Sequence, residues 1–414
     1  MFLRADRLLR DGRLPDGRRV DVEIIDGLIS AVRDSSTPFG DGTPVDELKG
    51  WLILPALAEP HAHLDKALTA EMVPNLDGDL DGGYEAWTTA VRAGKFTHEG
   101  MVARAIQAID LLLVHGVTAV RSHVNVGGDS GAKNVVAMQE AKSHFTGLVD
   151  IQLVALTITP LAGPEGADNR AALADAIEAG VDLVGGAPNF DTDPAGFIKT
   201  ALDAATDAGL GIDLHVDETL DPSSLDVREL ARQVQDRGFE HQVAASHCVS
   251  LGMQTPKVQA EVAREIAKAG IAVFPLPQTN LFLQGRELSS AIPRGLTAIR
   301  ALQDAGVLVA AGADNVQDIY NQVGRSDPLE TAALLVMAGH QLADDAYGMV
   351  SNDARDGLGL GRVELIPGAP ADLLVINAVS PREAIADAPM SRRVYHRGEL
   401  VASADQWTQI HRAV

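Results

Sequence analysis

Between residues 57 and 313, short apolar segments alternate with alanine-rich segments that have the composition of helices. The apolar segments have the length of buried strands, and several of them follow a glycine of the kind that ends a helix. They number eight and cover 57–63, 117–124, 150–156, 181–187, 212–217, 241–247, 271–276 and 307–313. Eight strand–helix units predict an α/β fold of the (β/α)8 barrel type, whose active site lies at the carboxyl ends of the strands.

The segments before and after this region are rich in strand-like alternation. Near the start, two alternating segments flank Asp26-Gly27, a pair that favours a two-residue hairpin turn. Strand-like segments return between residues 371 and 401. Because neither end is large enough to bury a core alone, we expect both ends to pair into a small β-sandwich domain. The predicted domains are a β-sandwich of 1–54 plus 360–414 and a barrel of 55–359.

Composition and charge narrow the class of protein. The formal net charge of −23 at pH 7 argues against nucleic acid or an anionic membrane as the partner, since both bind basic patches. Charges within the first seven residues interrupt the apolar core of a signal peptide, and no apolar run is long enough to span a bilayer. The single cysteine, Cys248, excludes an internal disulfide. We therefore expect a cytoplasmic protein.

A His-x-His pair ends the first predicted strand of the barrel. Side chains two residues apart lie on the same face of a strand, so His61 and His63 are expected to point into one cavity. Neutral imidazole is the commonest metal ligand, and zinc or ferrous iron suits nitrogen combined with carboxylate. The pair therefore predicts one half of a metal site.

Other polar residues fall at the ends of later predicted strands. His215 ends the fifth, His247 ends the sixth and Asp314 follows the eighth. The intervals from His63 through these three positions are 152, 32 and 67 residues, which equal about four, one and two units of a barrel of roughly 30 to 40 residues per unit. These side chains should therefore meet in one cavity at the end of the barrel.

Three imidazoles and a carboxylate can hold one divalent ion and leave a position for water, whose pKa the ion lowers. Glu218 follows His215 by three residues and is close enough to shuttle a proton without being a ligand. A site with two metals would need a bridging lysine in or after the fourth strand, and 181–189 contains none. The sequence therefore favours a single ion, either zinc or iron.

These motifs resemble those of the amidohydrolase superfamily over essentially the whole chain, and most of all its cytosine deaminase branch. The motifs that carry the resemblance are Glu59-Pro60-His61-Ala62-His63-Leu64-Asp65, Arg121-Ser122-His123-Val124, Asp150-Ile151-Gln152-Leu153-Val154-Ala155, His215-Val216-Asp217-Glu218, Ala245-Ser246-His247, Asn280-Leu281-Phe282-Leu283-Gln284-Gly285-Arg286 and Asp314-Asn315-Val316. The first motif, the His-x-Asp-Glu motif and the Asn280–Arg286 motif are specific in combination.

The resemblance implies a role for each residue of the predicted site. Glu218 would carry protons from the nucleophilic water to a ring nitrogen, and His247 would hold the attacking water or hydroxide. Asp314 would act as a base in addition to binding the metal. The metal ligands that the resemblance implies are His61, His63, His215 and Asp314.

The chain departs from the cytosine deaminase pattern where that family reads its substrate. The family has Phe-Pro-Gln after the third strand, whereas this chain has Leu-Thr-Ile at 156–158. Losing a group that hydrogen-bonds the substrate changes which ring is accepted. The resemblance therefore implies deamination of an amino-substituted N-heterocycle other than cytosine. The substrate contacts expected from it are Ile158, Gln284, Arg286, Asn315 and Tyr320, the last standing where the family has a tryptophan.

Several alternatives stay open at this point. The same ligands would serve a hydrolase of a cyclic amide or of an N-alkylamino triazine-like ring, and ammonia release separates these reactions from deamination. A non-catalytic relative or a heterocycle-binding protein would lack turnover, although no ligand is missing from the motifs. Barrels of this kind often form homo-oligomers, and the sequence fixes no number of copies. His123 is expected to be either a support for the site or a packed core residue, and Asp65 and Lys66 are expected to pair structurally. The segment 77–83 is expected to form a mobile loop after the first strand, with a lid over the site as the alternative.

Overall fold

The chain builds two β-sheets, and the first is formed by its two ends. The structure is a computed structural model and describes residues 6–35 and 43–411; most of the charged start that argued against a signal peptide lies outside these ranges. Five strands come first, namely β1 (Arg7–Arg13), β2 (Arg19–Ile25), β3 (Leu28–Asp34), β4 (Val45–Glu47) and β5 (Leu52–Pro55). The predicted turn at Asp26-Gly27 joins β2 to β3, and both of its residues have positive φ.

The second sheet is parallel and forms the barrel. Its strands neighbour one another in chain order, so each strand pairs with the next one along the sequence. They are β6 (Leu57–Ala62), β7 (Val117–Val126), β8 (Asp150–Thr157), β9 (Leu183–Gly186), β10 (Gly211–Val216), β11 (Val243–His247) and β12 (Ala272–Phe274). They coincide with the first seven predicted strands, with shifts of a few residues at their ends.

The eighth predicted strand closes the barrel without forming a regular ladder. Bridges join Val309 to Val273 of β12 and Asp314 to Ala62 of β6. Additional support comes from Glu59, whose buried carboxylate accepts hydrogen bonds from the backbone N–H groups of Ala313 and His61. The carboxylate takes the place of ladder hydrogen bonds at the seam, so the predicted (β/α)8 barrel is confirmed.

Helices follow the barrel strands and cover the outside of the sheet with their apolar faces. The helices up to the sixth strand are α1 (Leu80–Arg92), α2 (His98–Val114), α3 (Lys133–Ser143), α4 (Ala167–Glu178), α5 (Pro194–Ala208), α6 (Asp226–Arg237) and α7 (Val249–Gly252). The later ones are α8 (Pro256–Lys268), α9 (Pro277–Leu283), α10 (Ile299–Asp304), α11 (Pro328–Met337), α12 (Ala343–Met349), α13 (Asn352–Gly357) and α14 (Pro381–Asp387).

The last strands complete the sheet of the chain ends. They are β13 (Leu373–Ile376), β14 (Arg392–His396) and β15 (Glu399–Ala404). Because β13 pairs with β5, the two ends of the chain share one sheet, in the order β15-β14-β13-β5-β1-β2-β3 with β4 on β1. The second half of the strand-like region predicted at 371–401 is a hairpin, since Arg397 and Gly398 have positive φ and reverse the chain between β14 and β15.

This sheet has a hydrophobic core of its own that includes Leu9, Val22 and Ile53. The pairing of both ends into one β unit is therefore confirmed. The boundaries 1–54 plus 360–414 and 55–359 stay a prediction. Within residues 6–35 and 43–411, no helix is long and apolar enough to cross a membrane.

Candidate active site

The predicted metal ligands meet at the carboxyl end of the barrel. Asp314 Oδ1 lies 3.0 Å from Nε2 of His63 and 3.6 Å from Nε2 of His61. Nε2 of His215 lies 3.2 Å from Nε2 of His63. All four side chains are buried, and they come from β6, from the turn after it, from β10 and from the segment that closes the barrel. Residues up to 253 positions apart in sequence therefore present nitrogen and oxygen atoms to one point.

The backbone is left-handed at two residues of the site. His247, at the end of β11, has φ of 69°, and Asp314 has φ of 66°. Left-handed backbone costs a non-glycine residue about 1–2 kcal/mol. Such conformations persist where the surrounding structure enforces them, and they concentrate at functional sites. At both positions the strand leaves its extended path so that the side chain enters the cavity.

The donor set fits a divalent metal ion. Nε2 of His61, Nε2 of His247 and Oδ1 of Asp314 are buried without a hydrogen-bond partner among the described residues. Burial is the largest cause that lowers the pKa of His61, His63 and His215 well below the usual value, so these imidazoles are neutral and present lone pairs. Unpartnered buried polar atoms are costly unless a ligand satisfies them. Neutral imidazoles with one carboxylate match the ligands that zinc and iron prefer.

Glu218 and His247 form a pair beside these ligands. Oε1 of Glu218 lies 3.4 Å from Nδ1 of His247. The amide nitrogen of Asn280 lies 3.2 Å from that Nδ1 and 3.5 Å from Oε1 of Glu218, so Asn280 contacts both. The three side chains are buried and fix one another in place.

Burial also sets the protonation of this pair. Burial, and then the charge of Asp314, raises the pKa of Glu218 well above its usual range. Burial lowers the pKa of His247 to about 4 and raises the pKa of Asp314 to about 6. A carboxylate with a raised pKa is a stronger proton acceptor than an ordinary one, so Glu218 beside His247 can take up a proton and return it.

A chain of hydrogen bonds supports His61 from below. Nδ1 of His61 lies 2.7 Å from Oγ of Ser246, which donates to Asp213 at 3.1 Å. Because the Ser246 proton goes to Asp213, the hydroxyl oxygen accepts from Nδ1–H of His61. The lone pair of His61 therefore stays on Nε2, the atom that faces the other predicted ligands. Arg121 in turn pairs with Asp213 at 2.8 Å.

His123 lies beside His61 and Asp213 but does not line the cavity. Its ring stacks on His61 with centroids 4.0 Å apart, and its Nε2 is 3.7 Å from Asp213. It is fully buried. His123 was expected to be either a support for the site or a packed core residue. Its environment has features of both, since it packs in the barrel and touches a predicted ligand.

A cavity of about 320 Å³ opens onto the site. Its floor includes His63, His215, Glu218, His247 and Asp314. Its walls are mainly apolar and aromatic, which suits a flat ring. The wall residues are Leu80, Tyr84, Trp87, Leu156, Thr157, Ile158, Thr159, Ala187, Phe190, Thr279, Leu283, Asn315 and Tyr320, with Lys66, Asp81 and Asn125 as further polar members.

The structure separates the expected substrate contacts into two groups. Ile158, Asn315 and Tyr320 line the cavity. Gln284 and Arg286 are not among the lining residues: the Gln284 amide approaches the backbone carbonyl of Glu218 at 3.4 Å, and Arg286 stacks on the Phe282 ring at 4.3 Å. From the motif that contains them, Leu283 lines the cavity and Asn280 contacts Glu218 and His247 beneath it.

Sequence reasoning missed the wall that α1 supplies. The segment 77–83 was expected to be a loop, but α1 begins at Leu80 because the Asp79 side chain accepts a hydrogen bond from the N–H of Gly82 and caps the helix. Leu80, Tyr84 and Trp87 then face the cavity at spacings of four and three residues. That helical spacing is the signal that could have identified them.

Comparisons with known proteins agree with this arrangement. A sequence model described as the amidohydrolase family matches residues 95–404. A pterin deaminase of Rhizobium rhizogenes (strain K84) is 29% identical over 391 residues, which cover 92% of this chain and 88% of that protein. The structure of a 5-methylcytosine deaminase from Klebsiella pneumoniae with 5-fluorocytosine has a TM-score of 0.87 at 27% identity, covering 98% and 99% of the two chains. An N-isopropylammelide isopropylaminohydrolase from Burkholderia multivorans has a TM-score of 0.83 at 28% identity, covering 97% and 99%.

Proposed function

Because the chain belongs to the amidohydrolase family, we propose that it deaminates an amino-substituted N-heterocycle, with water as the nucleophile and ammonia as a product. One observation carries the proposal: Nε2 of His61, His63 and His215 converges with Asp314 beside the buried pair of Glu218 and His247. The proposed cofactor is one divalent ion, zinc or iron. It would be held by His61, His63, His215 and Asp314.

The ion, when bound, supplies a Lewis acid that lowers the pKa of water at the site. The residues around it handle the proton. Glu218 takes the proton of the attacking water and passes it to a ring nitrogen, a role that its raised pKa and its place in the cavity wall support. The side-chain amide of Asn280 contacts both Glu218 and His247 and so holds the two side chains next to each other.

His247 and Asp314 complete the proposed machinery. Nδ1 of His247 is engaged by Asn280 and Glu218, which leaves Nε2, 4.0 Å from Oδ2 of Asp314, for the oxygen of the attacking water. Asp314 accepts the remaining proton of the attacking oxygen and passes it to the amino group, which leaves as NH3 when the C–N bond breaks. The partly apolar cavity keeps bulk water from these transfers.

The substrate is proposed to be a flat ring other than cytosine. Tyr84, Trp87, Phe190 and Tyr320 give the cavity aromatic surfaces on several sides, and Ile158 offers no hydrogen bond where the cytosine deaminase pattern has glutamine. The relatives named above act on pterin, 5-methylcytosine and N-isopropylammelide, and these rings define the first class of compounds to test.

The experiment is ammonia release from metal-quantified protein across aminopyrimidines, aminopurines, pterins and aminotriazines. The proposal predicts ammonia from at least one ring, with activity lost on chelation and regained on adding back zinc or ferrous iron. A protein that carries its metal but releases ammonia from none of these rings would contradict deamination.

Hydrolysis of an N-alkylamino triazine is a second candidate. The likeness to the isopropylammelide enzyme over 97% of this chain favours it. The same assay separates the two reactions, since N-isopropylammelide would yield isopropylamine instead of ammonia.

A further inference from the structure

Resting on the proposed function, we propose that Lys66 binds an oxygen atom of the substrate ring and thereby selects amino heterocycles that also carry an oxo group. The expected pairing with Asp65 exists, at 3.4 Å, but it describes only part of the environment of Lys66. The same ammonium lines the cavity next to His63.

The fold delivers Lys66 to this place through a tight turn. The backbone N–H groups of Lys66 and Ala67 both donate to the carbonyl of His63, so the chain folds back directly after the His-x-His pair. The Lys66 side chain is only 4% exposed. A buried ammonium is rare unless its donors are satisfied, so its contacts indicate what it serves.

Metal binding would leave one N–H of Lys66 for a ligand. A lysine ammonium has three donors and no acceptor. Asn125 Oδ1 takes one at 2.8 Å, and Asp65 Oδ1 takes a second at 3.4 Å. In this structure the third lies against Nδ1 of His63, at 3.1 Å. A metal ion on Nε2 of His63 would place the ring proton on Nδ1, which could then no longer accept from Lys66. In that state the third N–H would be available to a molecule in the cavity.

The positive charge of Lys66 is also only partly neutralised by nearby acidic groups. Asp65 divides its carboxylate between Lys66 and the backbone N–H of Asn125, to which its Oδ2 is bonded at 3.0 Å. On the other side, the Trp87 ring lies 5.7 Å from Nζ and covers the ammonium. A cation in such a sheltered place makes a strong hydrogen bond with an oxygen that carries partial negative charge.

The position of Lys66 determines where the substrate must carry its oxygen atom. Lys66 stands one imidazole ring away from the proposed ion site, because its neighbour Nδ1 belongs to the same ring as the ligand atom Nε2 of His63. A ring small enough for this cavity must then present its oxygen close to the amino-bearing carbon. An oxo group in the same ring as the reacting carbon meets that requirement, whereas a ring without oxygen leaves the ammonium unsatisfied.

The test compares Lys66→Met with the wild type on substrate pairs that differ only in the oxo group, namely pterin against 2-aminopteridine and isocytosine against 2-aminopyrimidine. Methionine keeps the length of the side chain and removes its donors. A hydrogen bond to a charged group implies a loss of about 10- to 150-fold in kcat/KM on the oxo compound. Activity on the compound without oxygen should change less than about threefold, and the metal content should be unchanged. Lys95→Met, at an exposed lysine, is the matched control.

Two results would overturn the proposal. One is an equal loss on both members of a pair, and the other is loss of metal from the Lys66→Met protein, since either would make Lys66 a support for His63. If the wild type releases ammonia from no ring, the proposed function fails separately. Calorimetric binding of the same pairs then decides the role of Lys66: a preference for the oxo compound that disappears in Lys66→Met supports it, and no such preference in the wild type contradicts it.

Discussion

The barrel contains two buried polar layers that differ in one respect, namely whether their atoms have partners within the protein. In the lower layer, Arg121 is fully buried and donates to Gln152, Asp213, Gln242 and the carbonyl of Gly357. Each of its nitrogens has an acceptor, so the donors of this arginine are satisfied. Satisfied buried networks of this kind hold strands in place.

The upper layer lacks such partners. Nε2 of His61, Nε2 of His247 and Oδ1 of Asp314 face one another without donors or acceptors of their own among the described residues. The layers are equally buried, so burial alone does not separate structural from functional groups. A missing partner alone does not separate them either, because both nitrogens of His123 beside Asp213 also lack hydrogen-bond partners in the described part of the chain. What distinguishes the upper layer is that several unpartnered atoms face one another, which indicates a place for a ligand, while the satisfied arginine below it stabilises the fold.

The largest effect is expected from Glu218→Gln, which keeps the shape of the upper layer and removes its proton carrier. Because a positioned acid or base contributes about 100- to 10,000-fold, kcat should fall by that factor. Metal content, measured by plasma mass spectrometry, should equal that of the wild type. Glu85→Gln on the exposed side of α1 is the control. Full activity in Glu218→Gln would exclude the proton-carrier role.

Arg121→Met tests the lower layer. The substitution leaves Asp213 as a buried carboxylate without its cation, which costs about 3–5 kcal/mol of the free energy of unfolding. Urea denaturation of metal-free protein measures this directly. Arg232→Met removes an exposed arginine that also pairs with acidic residues, and it should change stability by less than about 1 kcal/mol. Equal stability of Arg121→Met and the wild type would show that the lower layer is not structural.

Ser246→Ala tests the connection between the layers and should have the smallest effect. Without the hydroxyl, Nδ1 of His61 loses its acceptor and the ring is less firmly held in the ligand tautomer. Loss of such supporting groups typically weakens metal affinity about 10- to 100-fold. Competition with a chromogenic chelator measures the affinity, with Ser143→Ala at the surface as the control. Unchanged affinity would mean that His61 is held by packing alone, through the stacked ring of His123.

The sequence predicted the barrel because its strands and helices have the regular length and order of repeated units. The resemblance to the amidohydrolase superfamily is confirmed by the family match and by the related structures. The convergence of His61, His63, His215 and Asp314 followed from the rule that a barrel places its strand ends together. The role of each as a ligand stays a prediction.

What could not be predicted depends on contacts between distant segments. The start of α1 depends on the cap provided by Asp79, within a segment whose glycines favour a loop. Asn280 and not Gln284 reaches the site because α9 ends before Gln284 and turns its side chain towards the backbone of Glu218. Lys66 was expected only to pair with Asp65, since its approach to the cavity depends on Asn125 of a different strand.

The unpartnered atoms of the upper layer are proposed to bind an ion that the chemistry requires. The most direct measurement is the metal content and metal affinity of purified wild-type protein and of Asp314→Asn, with exposed Asp304→Asn as the control. We predict one zinc or iron ion per chain in the wild type and the control, and loss of both the ion and ammonia release in Asp314→Asn. A wild-type protein that is active after complete removal of metal would contradict the account.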